Sequence, residues 1–255
     1  MIRRRLDLAI PGWHDHPVTR RSDMYGGLSP EQVPAYTPTE LANYLQLPRG
    51  TVIAWTLGTT YRVKDGTRRQ FKPVIQVADR KARRLSFENL VEVHVLSSLR
   101  RQHRVKLDAV RTAVLFLRKH FGTEHPLADQ EMLTDGTDIF VGRYGRLTNA
   151  SREGQEAMRE MVARYLTRIE RTKQGKSIRL YPVTRTAVAV DEAPKLVAID
   201  PRYRFGQPFL LGAGVETRVV AGRHKAGDSV KELAEDLGVS EAAIEEALRY
   251  ELRAA

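Results

Sequence analysis

Histidines, carboxylates and guanidinium groups gather at several places along the chain, and each gathering implies a different chemistry. His14 and His16 flank an aspartate in "HDH", a set of metal-ligand types. Three sequence neighbours cannot all point at one ion without a partner from elsewhere, and the surrounding stretch reads as a surface loop. Glu131, Asp135 and Asp138, around "DGTD", could bind metal in a nuclease or work as an acid–base pair. A turn followed by a strand explains the two aspartates more simply. His94 falls on an apolar helical face and reads as a satisfied core histidine. There is no phosphate-cradling GxxxxGK[ST] loop and no GxSxG nucleophile turn. These readings argue against an enzyme and imply no cofactor and no metal.

The remaining cluster is cationic. Between Pro48 and Leu57 there is no acid, and Arg49, Gly50, Thr51 and Thr56 form the predicted outward side of a short helix. Directly after it come Arg62, Lys64, Arg68, Arg69 and Lys72, against a single Asp65. This arrangement suits duplex DNA: helix residues reach base edges in the major groove while arginines and lysines on a following hairpin bond phosphates.

The elements that would position these groups are readable from spacing. In "YTPTELANYLQLPRGTVIAW", Thr37 predicts an N-cap, Pro38 a first helical position and Glu40 a capping box. Leu41, Ala42, Leu45, Leu47, Val52 and Trp55 have the spacing of a helix-turn-helix, with a small residue where the second helix crosses the first. "TTYRVK" and "RRQFKPVI" flank "DGT" and predict a hairpin, or wing. The same pattern recurs near the C-terminus as Leu233, Ala234, Leu237, Val239, Ile244 and Ala247, with Gly238 in the turn and a Ser229 to Glu232 capping box. That copy carries Glu241, Glu245 and Glu246 on its second helix, and placing such carboxylates against phosphates would be repulsive. A protein-contact or self-association role follows for it, toxin binding or oligomerisation.

Between the copies, residues 86–99 read as a helix. Leu107, Val110, Val114, Leu117 and Phe121 form a helical apolar seam that predicts self-association, as a homodimer or higher homo-oligomer. Residues 132–149, with glycine turns around "DIFV", predict a small β-hairpin or meander. A long helix is expected over 151–171 with Met158, Val162, Tyr165 and Ile169 as its buried stripe, then strand-rich sequence to a break at Pro194. The expected organisation is an extended basic arm (1–35), a winged helix-turn-helix (36–84), a helical and hairpin middle region (85–185) and a small C-terminal domain (186–255). The fold class is α+β, mostly helical, the last domain combining a β-hairpin with the second helix pair.

Charge agrees with this division. The chain of 255 residues has 42 Lys and Arg against 31 Asp and Glu, a formal charge of +11. Residues 1–84 hold 15 basic and 7 acidic side chains, 85–185 hold 18 and 12, and 186–255 hold 9 and 12, so cations concentrate in the front. The absence of cysteine excludes disulfides and thiolate sites, and no apolar run is long enough to span a membrane. A cytoplasmic protein is expected, with no membrane partner.

Several separate blocks, in order, resemble one family. "YTPTELANYLQLPRGTVIAW", the hairpin and "LSFENLVEVHVLSSLRRQHRVKLDAVRTAVLFLRKHFGTEHPLA" resemble the DNA-binding half of the large VapB-type antitoxins, itself similar to the MerR winged-helix plan. "LTDGTDIFV", "RLYPVTR" and residues 198–251 resemble their C-terminal domain of unknown function, departing at "GVETR", where Glu216 replaces a more apolar element. The resemblance implies an antitoxin of a type II pair that neutralises a PIN-like ribonuclease and represses its own operon. Such a toxin holds metal with clustered carboxylates, which arginines would meet as bidentate partners; Arg202, Arg204 and Arg218 are the candidates. The alternatives are a MerR-like regulator with a C-terminal small-molecule sensor, and the nuclease above.

Overall fold

The computed structural model describes residues 25–62, 66–99, 106–185 and 188–254. Helices α1 (Pro38–Tyr44) and α2 (Arg49–Thr56) lead into a hairpin of β1 (Thr59–Arg62) and β2 (Arg68–Phe71). Four helices follow: α3 (Phe87–Leu99), α4 (Leu107–Phe121), α5 (Asp135–Thr148) and α6 (Arg152–Leu166). A second hairpin, β3 (Ile169–Arg171) with β4 (Ser177–Leu180), connects to a three-stranded antiparallel sheet of β5 (Val197–Ala198), β6 (Phe209–Leu210) and β7 (Val215–Glu216). Helices α7 (Thr217–Ala226), α8 (Val230–Leu237) and α9 (Glu241–Ala254) close the chain. The class is α+β and mostly helical, as expected. No helix among the described residues is long and apolar enough to cross a membrane.

One hydrophobic core runs from Tyr36 through Leu41, Val52 and Trp55, then α3 to α6, to Leu180 and Ile199, so the residues expected as separate first and middle domains bury their side chains together. A smaller core joins Leu210, Val220, Leu233, Ile244 and Ala247. His14 to His16, Lys64 and Asp65 lie outside the described residues, as does the arm up to residue 24. Residues 25–35 are not extended. They fold into turns, bury Glu31, and offer its carbonyl to the Glu88 N–H at the start of α3 (3.1 Å).

Three sequence expectations for the middle region are corrected. The predicted hairpin over 132–149 is a 3-10 turn (Gln130–Leu133) followed by α5. Its glycines allow close packing instead of turning the chain: a Cβ on Gly145 would sit 2.5 Å from the Gln155 side chain, and one on Gly136 2.6 Å from the Glu131 carbonyl oxygen. Asp135 and Asp138 occupy the first helical turn, where carboxylates oppose the positive end of the helix dipole. The helix expected over 151–171 stops at Leu166, and Ile169 is instead a buried residue of β3 opposite Leu180. Helical and strand spacing both bury Ile169, so the stripe could not tell them apart. Finally, Val110, Val114 and Leu117 are buried inside the chain, where α4 packs on α5, and the seam expected to join two copies is already covered.

α3 is buried on nearly every side and carries polar groups with partners, as expected for His94. His94 Nε2 lies 3.1 Å from the Tyr165 carbonyl, and burial pushes its pKa down to about 4. Its neutral form therefore contributes stability above the unfolded value near 6.5, lost as pH falls toward 4, an effect of about 3 kcal/mol. His125 acts with the opposite sign. Burial alone would lower it, but hydrogen bonding to Glu92 (3.0 Å) and the charges of Glu92 and Glu88 raise it. Its contribution is complete below the unfolded value and fades as pH rises through the folded one. Urea titrations should therefore show stability dropping between about pH 6.5 and 4.5. His94→Gln, which keeps a donor but does not titrate, should flatten that drop; an unchanged slope would show that His94 is not its source.

Candidate nucleic-acid interface

The first helix pair forms for the reasons visible in its residues. The Thr37 hydroxyl accepts the Glu40 N–H (3.1 Å) while the Glu40 carboxylate accepts the Thr37 N–H (2.7 Å), a reciprocal cap with Pro38 just inside. Leu41, Ala42, Val52 and Trp55 are buried, with Leu45 and Leu47 half-buried against them. The turn is closed by the Leu47 N–H donating to the Ala42 carbonyl (2.8 Å). The C-terminal pair repeats this geometry: Ser229 and Glu232 form the cap, the Val239 N–H donates to the Ala234 carbonyl (3.1 Å), and Leu233, Ala234, Ile244 and Ala247 are buried. At the equivalent turn position Gly238 has φ +65°, while Gln46 adopts +54°. Glutamine is held there by its side chain, whose Nε2 donates to the Tyr250 carbonyl of α9 (2.8 Å).

On α2, Arg49 and Gly50 are exposed and Thr51 is half-exposed, so these three face outward as expected. Arg49 Nε donates to Thr39 Oγ1 (2.9 Å), which ties the start of α2 to the start of α1. Thr56 does not face outward: it is buried and its hydroxyl donates to the Val52 carbonyl (2.7 Å). At the last position of an eight-residue helix the hydroxyl satisfies a carbonyl of the preceding turn, leaving no group for a base.

The hairpin pairs Arg62 with Arg68 and Tyr61 with Arg69, and all four are exposed. Opposed cations across a ladder repel by up to about 1 kcal/mol unless something negative lies over them. Among the described residues no carboxylate pairs with Arg62, Arg68, Arg69 or Lys72. The hairpin base is anchored from α4, where Arg111 donates to the Lys72 carbonyl (3.0 Å) and lies over the Phe71 ring (4.8 Å).

The C-terminal arginines are placed differently. Arg202 makes a two-pronged pair with the buried Asp200 (2.9 and 2.6 Å), and Arg218 pairs with Glu216 (2.5 Å). Arg204 is exposed and its Nε donates to the Gly214 carbonyl (3.0 Å). Beside it Phe205, which sequence reasoning did not single out, is 87% exposed with φ +53°. On α9, Glu241 and Glu245 are exposed, but Glu246 is fully buried and bound by Thr184, Arg185 (2.6 Å) and Arg249 (2.5 Å). The acidic face is thus smaller than expected, because Glu246 closes a structural ion pair. Asp138 is likewise engaged, accepting from Arg159 (2.5 Å), and no group of three or more His, Asp or Glu able to hold a metal occurs among the described residues.

A helix pair with a buried crossing alanine, joined to a cationic hairpin, defines a protein of the helix-turn-helix DNA-binding class. Residues 34–114 match a family described as "Putative DNA-binding HTH domain", and residues 197–250 match "Protein of unknown function (DUF433)". The chain is 31% identical over 231 residues to "Putative antitoxin VapB45" of Mycobacterium tuberculosis, covering 85% of this chain and 93% of that protein. It is 27% identical to "Uncharacterized protein Rv2308" of the same organism, over 84% of this chain and 89% of the relative. The crystal structure of Rv2018 from M. tuberculosis superposes with a TM-score of 0.61 at 25% identity, covering 85% of this chain and 97% of that one. The chain belongs to the family of "Putative antitoxin VapB45".

Proposed function

We propose that this protein is the antitoxin of a type II pair, which represses its own operon through the N-terminal helix-turn-helix and neutralises a PIN-like ribonuclease through its C-terminal domain. The reading rests chiefly on the cross-strand pair of Arg62 and Arg68, uncompensated by any described carboxylate, at the end of α2. In this reading the β1–β2 hairpin is a wing: Arg49, Gly50 and Thr51 approach base edges while Arg62, Arg68, Arg69 and Lys72 hold phosphates. Arg202 and Arg218 already have carboxylate partners within the chain, which leaves Arg204, with the exposed Phe205, as the strongest toxin contact.

The test is binding of the purified chain to a labelled duplex taken from the DNA upstream of its gene, together with co-expression and pull-down of any ribonuclease encoded beside it. Arg68→Ala with Arg69→Ala is expected to weaken DNA binding about tenfold and to reduce the slope of log affinity against log salt by roughly one per lost phosphate contact. The same variant should still capture the toxin. Unchanged DNA affinity would remove the wing from the interface, and loss of both activities together would point to one shared surface or to misfolding.

A further inference from the structure

Residues 79–84 build a second basic projection that the sequence pattern did not single out. Asp79 and Arg84 exchange backbone hydrogen bonds (3.0 and 2.9 Å), and the Asp79 carboxylate turns inward to accept the Ala82 N–H (2.8 Å). Arg80, Lys81 and Arg83 are left exposed at the tip. Arg83 has φ +55°, a backbone conformation that glycine or asparagine adopts at lower cost. Among the described residues none of these three cations has a carboxylate partner. Arg84 instead reaches back to the Ala35 carbonyl (3.2 Å) and toward Glu40 (3.9 Å).

The position of this turn follows from its contacts. Leu85 and Tyr36 exchange backbone hydrogen bonds (2.8 and 2.9 Å), which fixes the turn beside the N-cap of α1. Thr39 of α1 holds Arg49 at the start of α2, so the turn lies toward the N-terminal end of α2. The hairpin lies at the other end, where the Val74 and Ile75 N–H groups both donate to the Trp55 carbonyl (2.8 and 3.0 Å). An eight-residue helix is about 12 Å long, close to the width of a major groove, and a helix seated there has phosphates of the duplex beyond both ends.

We propose that the Asp79–Arg84 turn is a second phosphate clamp, in which Arg80, Lys81 and Arg83 grip the DNA backbone across the groove from the β1–β2 hairpin. This inference rests on the reading of α1 and α2 as a duplex-binding unit. Its contacts carry no sequence information; they set the register of α2 in the groove.

The test uses the full chain with two labelled duplexes, one from upstream of its gene and one scrambled to the same composition, titrated over a range of salt. Arg80→Ala, Lys81→Ala and Arg83→Ala combined should weaken binding to both duplexes about equally, on the order of tenfold or more. The salt slope should fall by roughly one per lost contact, up to about three. Arg83→Gly alone relieves the backbone conformation while deleting the cation, so it should melt no lower than the unaltered protein and still bind less tightly. If the unaltered chain binds and the triple variant keeps its affinity and slope, the clamp is refuted while the helix-turn-helix reading stands. A loss confined to the upstream duplex would instead assign these residues to base readout and refute the clamp. Failure of the unaltered chain to bind either duplex would overturn both.

Discussion

Replacing Arg168 with methionine is expected to cost about 4 kcal/mol of stability, a large share of the roughly 5 to 15 kcal/mol margin of an ordinary domain. Arg168 is fully buried, yet among the described residues its guanidinium pairs with no carboxylate and is held by backbone carbonyls. Nε donates to Tyr181 (3.0 Å), Nη1 to Ala193 (2.5 Å), and Nη2 to Pro182 (3.2 Å) and Pro194 (2.9 Å). Two of these acceptors belong to prolines, which lack an N–H, so neither segment can satisfy the other through an ordinary ladder. One planar group with five donors bridges both. Burial lowers its pKa to about 10, which leaves it charged at neutral pH. Methionine would fill much of the space but orphan the carbonyls, each worth about 1 to 3 kcal/mol where water cannot reach. Lysine, a single ammonium, should recover only part of the loss. Urea unfolding at neutral pH checks this, and a methionine variant within about 1 kcal/mol of the unaltered protein would contradict it.

Arg168 also shows where reading the sequence stopped. Helix-turn-helix spacing was legible because each position depends on local geometry: Ala42 and Ala234 must be small at a crossing, and Thr37 and Ser229 must cap. Both copies fold as their residues require. What a side chain does over long sequence separations was not legible. Nothing near Pro194 announces that the apparent boundary is stitched to Arg168, 26 residues away. Nor does anything near Glu246 announce the partner Arg185, 61 residues away, that turns it inward while Glu245 stays out. Gly136 and Gly145 misled in another way, since a glycine needed for close approach and one needed for a turn look alike until the neighbour, here Glu131 or Gln155, is in place. The pairing of Arg202 was not legible either: its carboxylate partner is only two residues away, but it is the fold that buries Asp200 and so holds the pair together.

The second large effect is expected at Tyr250, where the last helix meets the first. Its hydroxyl donates to the Tyr44 carbonyl (2.8 Å) and its own carbonyl accepts from Gln46 Nε2 (2.8 Å), contacts that span more than two hundred residues. Tyr250 is 1% exposed, and Tyr44, whose carbonyl it binds, stands edge-on to Tyr36 (6.1 Å). Tyr250→Ala removes a fully packed ring and should cost about 3 to 5 kcal/mol. Tyr250→Phe keeps the ring, orphans only the Tyr44 carbonyl at the end of α1, and should cost about 1 kcal/mol. The ratio separates packing from hydrogen bonding, because equal losses in the two variants would mean that the hydroxyl dominates. In the phenylalanine variant the ring still seats α9 and Gln46 stays bonded, since it binds the backbone, so the left-handed turn before α2 should survive. In the alanine variant α9 loses its anchor, and the amide of Leu47, which closes that turn by bonding to Ala42 (2.8 Å), should exchange with solvent deuterium faster. Protection at Leu47 equal to that of the unaltered protein would show that α1 and α2 hold their angle without the C-terminal helix, and that the contact serves the C-terminal domain alone.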